Sequence, residues 1–452
     1  MTARLILPLV LLLNACVPAS QPGIVTRGQI AESALPPMKR FAAAAQQHRP
    51  QGNATLAADF LDLTFQLENG RALPVLTRFE GPVSLRVTGT PPASLAPDLQ
   101  SLLARLRNEA GIDITLTQGP DAGITIAAVS RREINSLLPD AACFVAPNVG
   151  SLAEYRRARR TPQTSWANLQ RRERLAIFLP HDASPQELRD CLHEELAQAL
   201  GPLNDLYRLS GSVFNDDNVH NVLTGFDMLI LRITYDPALR SGMSREEVAA
   251  ALPALLARIN PGTDAASAAP VTRTPRVWIA AIQTALGRNV APAARRVAAE
   301  DALRIARHQG WQDHRRGFSH YAMGRVLQRD DPAAAQRHYR TADGFYARQP
   351  GTALHRAHVA TQLAAHAVID GDGARALAEI APHIATAQRH ENAALLATLL
   401  LLRAEALELE QRAEEAAAVR LDSIGWARYG FGPDWAVRAK LREIASLNPR
   451  KG

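Results

Sequence analysis

The hydrophobic pattern changes its period once along this chain, and that switch constrains the fold more than any single motif. Before residue 260, short alternating runs are interleaved with helical ones; after residue 275 only helical spacing persists. The stretch between, residues 260–275 (NPGTDAASAAPVTRTP), is small, proline-containing and unpatterned, and reads as a linker. The pattern predicts an α+β domain over 51–259, a mixed sheet with a central helix, followed by an all-α helical-repeat domain over 276–449.

Within the first domain, Pro82 to Val87 alternates as a half-buried strand should, and Leu95, Leu99, Leu102, Leu103 and Leu106 form one helical stripe over 95–109. Short strands are expected at 112–116, 123–129, 143–145 and 175–179. A strong helix follows over 185–200. Ser184-Pro185-Gln186-Glu187 is a capping box with proline at the first helical position, and Gly201-Pro202 is the stop.

The N-terminus sets the compartment. Met1 to Arg4 is positive, and Leu5 to Leu13 is apolar apart from Pro8. That run is short of the roughly 20 residues a bilayer span needs and suits a signal-peptide core. It ends in Leu13-Asn14-Ala15-Cys16, which resembles the bacterial lipobox, with Asn14 larger than the usual occupant. The resemblance implies a signal peptide over 1–15, cleavage before Cys16 and lipid on that cysteine; the alternative is an ordinary secretory signal. Val17 then favours the outer membrane, with the chain facing the periplasm. Residues 16–50, rich in Ala, Pro and Gln, read as a tether.

Export makes nucleic acid a poor partner despite a formal charge of +7, so the membrane is reached through lipid. The clusters Arg156-Arg157-Ala158-Arg159-Arg160 and Arg171-Arg172-Glu173-Arg174 read as solvated faces, with anionic lipid or cell-wall polymer as the alternative. With Cys16 lipidated, Cys143 and Cys191 remain. An even pair in an oxidising compartment predicts a disulfide; the alternative is two buried thiols.

The chemistry concentrates in Cys191-Leu192-His193-Glu194-Glu195-Leu196-Ala197-Gln198 and the following Gly201, Asn204 and Asp205. His193-Glu194 begins like HExxH, but Ala197 stands at the second histidine position. His193 also points about 140° from Gln198 at about 100° per residue, so it reads as a partly exposed helix histidine. One register on, Glu194-Glu195-x-x-Gln198-x-x-Gly201-x-x-Asn204 resembles HExxHxxGxxH of the metzincin metallopeptidases. Ser212-Val213-Phe214 falls where that family has its Met-containing turn. Thr224-Gly225-Phe226-Asp227 through Tyr235 resembles its closing helix, and the likeness covers about 75–240.

The resemblance places Glu195 as general base and sets Glu194, Gln198 and Asn204, or its neighbour Asp205, where the family binds zinc. That set is too hard and too weakly basic for zinc. Such oxygens suit Ca²⁺ or Mg²⁺ better, although one or two carboxylates make a feeble site. The reading is therefore a binding or scaffolding domain, degenerate as a peptidase and without a cofactor. The alternative is an atypical hydrolase using Glu195 as base.

The helical wheel speaks independently of family. Leu188, Leu192, Leu196, Ala199 and Leu200 form the apolar stripe; Glu195 lies at its edge beside a polar wedge of Cys191, Glu194 and Gln198. A carboxylate so placed is desolvated, has a raised pKa and must find partners. Both a functional site and a structural hydrogen-bond network satisfy that requirement. The assembly EExxQALG, SVFND and LTxxDxLxLRxxYDP, with Gly242-Met243, is also similar to an uncharacterised bacterial envelope family, a domain of unknown function. Residues 215–218 (NDDN) either line a site or make a solvated turn.

Residues 276–449 resemble tetratricopeptide-type repeats. Gly324 followed by Ala335-x-x-x-Tyr339-x-x-Ala342 is one residue short of that spacing, and weaker echoes occur near His366 and Ala404. The resemblance implies stacked helix pairs that take an envelope protein partner, with bracing of the first domain as the alternative. The aromatic and glycine-rich stretch 425–432 is expected to cap the array or dock onto its neighbour.

Overall fold

A computed structural model of the chain describes residues 35–41, 51–261 and 272–451. The expected signal peptide, Cys16, most of the expected tether and most of the linker lie outside the described residues.

The first region runs α1 (Asn53–Thr64), β1 (Val83–Gly89), α2 (Leu95–Ala110), β2 (Ile114–Leu116), β3 (Ile124–Val129), α3 (Arg131–Asn135), β4 (Phe144–Pro147), α4 (Leu152–Ala158), β5 (Leu175–Pro180), α5 (Pro185–Leu200), α6 (Gly225–Thr234) and α7 (Arg245–Ile259). The sheet order is β2-β1-β3-β5-β4; all neighbours are parallel except β4, which runs antiparallel to β5. Period-2 alternation sorts the sheet's faces. Ile124, Ile126, Ile177 and Leu179 face the main core with α2 and α5, whereas Ala127, Ala176 and Phe178 face a smaller core under α3 and α4. All six residues of β5 are buried, as a parallel strand covered on both sides requires.

The second region is helical: α8 (Arg276–Leu286), α9 (Pro292–His308), α10 (His314–Leu327), α11 (Pro332–Tyr346), α12 (Ala353–Ile369), α13 (Gly373–Ile380), α14 (Ile384–Arg389), α15 (Ala393–Leu409), α16 (Ala413–Phe431) and α17 (Asp434–Ala445). Successive helices pack as pairs, α10 on α11 and α15 on α16 most extensively. Gly324 lets α10 and α11 approach closely: a Cβ there would stand 2.5 Å from Tyr339 Cε1. Among the described residues no helix is long and apolar enough to cross a membrane.

Residues from Leu35 onward form one compact unit, and the two regions are joined by polar contacts along its seam. The Ala393 amide donates to Gln186 Oε1 at 2.8 Å, Tyr429 Oη donates to Asp98 at 2.6 Å and Asn392 donates to Asn221 at 2.6 Å. Arg189 and Glu391 form a buried ion pair. Residues 425–432, expected to cap or dock, are mostly the last turns of α16; they dock onto the first region, while α17 packs beyond them. Tyr429 reaches α2, and residues 35–41 of the expected tether lie along the same helix. Phe41 stacks on Trp426 at 4.5 Å, and the Lys39 amide donates to Gly425 O at 3.0 Å. Gly425 is needed there, because a Cβ would sit 2.8 Å from Lys39 Cγ.

Candidate functional site

The site is organised by α5. Ser184 Oγ accepts from the Glu187 amide at 3.2 Å, Pro185 opens the helix, and Gly201 closes it. Its apolar stripe is fully buried, and its polar wedge turns toward β4, the antiparallel edge of the sheet. There Cys191 is bonded to Cys143, with a Cα–Cα distance of 5.9 Å. The predicted disulfide thus ties the helix to the residue before β4 and makes one wall of a cleft of about 570 Å³.

Carboxylates line this cleft at every depth. Glu68 and Asp140 stand at the exposed mouth, Glu194, Asp205 and Asp216 are half-buried along the walls, and Glu195 lies at the floor, 5% exposed. The lining contains no Lys, Arg or His. Gln198 completes the α5 face, and Trp166, Phe144, Val145 and Leu203 give an apolar flank. Five separate segments deliver the acids, Asp140 coming from the loop between α3 and β4. Glu68 comes from the turn closed by the Gln66–Ala72 bridge, Glu194 and Glu195 from α5, Asp205 from the following loop, and Asp216 from the loop before α6.

Burial pushes Glu195 well above the usual carboxylate range, and the neighbouring charges of Glu194 and Glu68 push it further. The same causes raise Asp205 strongly and bring Glu194 to about 7. Among the described residues Glu195 Oε2 and Asp205 Oδ1 have no hydrogen-bond partner. Asp216 is raised by burial, with hydrogen bonds from Tyr207 at 3.1 Å and Gln283 of α8 at 3.2 Å opposing it. The desolvated carboxylate expected at position 195 is present. Its network of partners is not.

Of the predicted site residues, Glu194, Glu195, Gln198 and Asp205 meet in the cleft. Asn204 does not; it is buried beneath, where Nδ2 donates to the Asp62 carbonyl at 2.9 Å. The residues at the positions assigned to zinc by resemblance therefore do not fit that ion: one is an amide turned away and another, Gln198, is neutral. Among the described residues no group of three His, Cys, Asp or Glu is arranged to hold a metal ion.

Three further expectations change. His193 is 2% exposed rather than partly exposed, because the loop into α6 covers it, and its Nδ1 accepts from the Leu223 amide at 3.1 Å. Arg172, read as part of a solvated face, is buried. It caps the C-terminus of α5 by donating to Gln198 O at 2.5 Å and to Gly201 O, where a cation complements the helix dipole. Run 215–218 splits: Asp216 and Asn218 line the cleft, whereas Asp217 faces away toward α12 and bonds His355 Nε2 at 2.9 Å. The expected Thr224–Asp227 cap of α6 is present, and Asp227 also takes the Ser212 hydroxyl. Glu68, Asp140 and Trp166 carried no sequence signal beyond a turn or loop composition.

Residues 53–254, which contain the whole cleft apart from its α8 contact, match the model of a family described as a protein of unknown function (DUF2927). No curated protein and no solved structure matches the chain.

Proposed function

We propose that the chain is an exported, lipid-anchored envelope protein whose α+β domain is a ligand-binding relative of the metzincins rather than a peptidase. One observation supports this reading: of the positions where the resemblance would set metal ligands, Glu194 and the neutral Gln198 face the cleft, while Asn204 is bonded to Asp62 and only its neighbour Asp205 lines the cleft. The order strand, helix, strands and helix along 83–200, with an antiparallel edge strand bounding the cleft, supports the likeness in layout. In this reading Cys16 anchors the chain at the outer membrane. The tetratricopeptide-like region chiefly braces the cleft, since Gln283 of α8 reaches Asp216 and Arg276 of α8 reaches the Glu68 carbonyl. An envelope protein partner on that region is the further part of the proposal.

The hydrolase alternative has its own support in Glu195, a buried carboxylate with raised proton affinity at the floor of an open cleft, which is how general acids and bases are often built. The test is metal analysis of the purified chain, together with hydrolysis of peptide and cell-wall substrates by native protein and Glu195→Gln. Substoichiometric metal and equal background rates are expected. Turnover that vanishes in Glu195→Gln would establish the hydrolase instead.

A further inference from the structure

We propose that the cleft over Glu195 is a receptor for the head group of an organic cation, a guanidinium or alkylammonium carried on an aliphatic stem. This rests on the binding reading above and names the ligand class that the site selects.

The first ground is the imbalance of hydrogen-bonding groups. The lining holds six carboxylates and no basic side chain, in a chain whose formal charge is +7. Walls of low polarisability focus the field of such a set and concentrate cations in the cleft. The second ground is independent of charge count. Glu195 is 95% buried, with 5% exposed, it faces the cleft, and its Oε2 finds no donor among the described residues. A buried acceptor left without a donor is costly. Buried carboxylates elsewhere in this molecule are not left so: Asp217 has His355, Asn215 and the Val219 amide, and Asp227 has Ser212, Thr224 and the Val213 amide. The floor of the cleft is the exception.

A guanidinium brings five N–H donors and an ammonium three, neither with an acceptor, so each complements a lining made of acceptors. A bare divalent ion is the poorer match, because the acids are spread from mouth to floor and no three of them converge. The apolar flank of Trp166, Phe144 and Leu203 suits the methylene stem that such a head group carries. The cavity, about 570 Å³, is of the size that holds a small ligand.

The test is calorimetric titration of the full chain with argininamide, its neutral isostere citrullinamide, the tripeptide Gly-Arg-Gly and calcium chloride. Argininamide is expected to bind, and citrullinamide about 10- to 100-fold more weakly, the range for losing a charge-assisted hydrogen bond. Glu195→Gln, which keeps shape, and Asp216→Asn, nearer the mouth, should each weaken argininamide about 10-fold; circular dichroism confirms that both are folded. Within that outcome, tighter binding of the tripeptide assigns the head group to a peptide side chain, and equal binding assigns it to a free cation. Equal affinity for argininamide and citrullinamide overturns the cation inference while leaving a binding protein. Binding of calcium alone, or of no probe, also overturns it. Glu195-dependent release of ammonia from argininamide would instead overturn the non-hydrolytic reading beneath it.

Discussion

Asp216 and Asp217 are neighbours in sequence and serve opposite environments. Asp216 looks into the acidic cleft, where burial raises its pKa. Asp217 looks into the seam with the helical region, where burial also opposes its charge but the charge and hydrogen bond of His355 outweigh it and hold the pKa below the usual value. Its side chain is 2% exposed, and it takes donors from His355, Asn215 and Val219. Asp217 has three donors and Asp216 two, whereas Glu195 Oε2 and Asp205 Oδ1 elsewhere in the cleft find none among the described residues. Burial by itself therefore does not decide whether a carboxylate is structural; the presence of a partner does. Seam contacts hold the molecule together, while the uncompensated cleft stores free energy that a ligand can release.

The largest expected effect sharpens the role of the wall between these regions. Replacing Cys143 and Cys191 by serine opens a loop of 48 residues, for which chain entropy predicts a loss of about 4 kcal/mol. Urea unfolding reads this, and a loss under about 1 kcal/mol would mean that packing alone holds α5 to β4. Next, Asp217→Ala strips three donors of their acceptor and should cost about 3 kcal/mol. The same change at Asp216 strips two donors, Tyr207 and Gln283, from a carboxylate whose charge burial opposes, and should cost only about 1 kcal/mol; equal losses at the two sites would end the contrast.

The pH dependence carries both signs. Glu194, Glu195 and Asp205 have folded pKa values above their unfolded ones, so the folded state binds the extra protons and stability rises as pH falls through about 7 toward 4.5. Glu68, Asp216 and Tyr207 are the other titrating groups that face them. His314 and His220 are lowered by burial to about 4 and about 3, so their contribution is present above 6.5 and is lost as pH falls below it. Acidification from pH 8 to 6.5 should raise the melting temperature, with a slope of about 1.4 kcal/mol per pH unit for each proton bound. Below 6.5 the two trends oppose. A chain carrying Glu194→Gln and Glu195→Gln should show a smaller first rise, carried by Asp205, and keep the fall.

Smaller effects refine the picture. Glu195→Gln alone should stabilise the protein by roughly 1 kcal/mol at pH 8, a gain that shrinks as the solution is acidified toward 4.5. Destabilisation would reveal a partner for Glu195 and undo the premise of the cleft. Gln283→Ala should change stability by under about 0.5 kcal/mol yet alter argininamide affinity through Asp216. No change in either leaves α8 a passive neighbour.

Much of the fold was legible because it rests on local rules. The ends of α5 follow from Ser184, Pro185 and Gly201, the leucine stripe of α2 from its spacing, and the sheet strands from alternation. The disulfide followed from compartment and parity. The site was half legible: the wheel placed Glu195 at the edge of an apolar stripe, which is enough to desolvate it. His193 and Arg172 were misread because the groups that cover them, the Leu223 loop and the end of α5 itself, belong to other parts of the chain.

Asn204 shows the same limit from the other side. A motif spacing assigned it to a metal, and a carbonyl 142 residues earlier took its amide. Period, caps and cysteine parity are interactions within a few residues or properties of the whole composition, so the sequence alone determined the sheet strands, α2, α5 and α6 and the desolvation of Glu195, but not α1, α3, α4 or α7. Which carboxylates stand around it, and which of two adjacent aspartates joins them, depends on five distant segments packing at one place. That was decided only by the tertiary structure, because charge and hydrogen bonding act through space rather than along the chain.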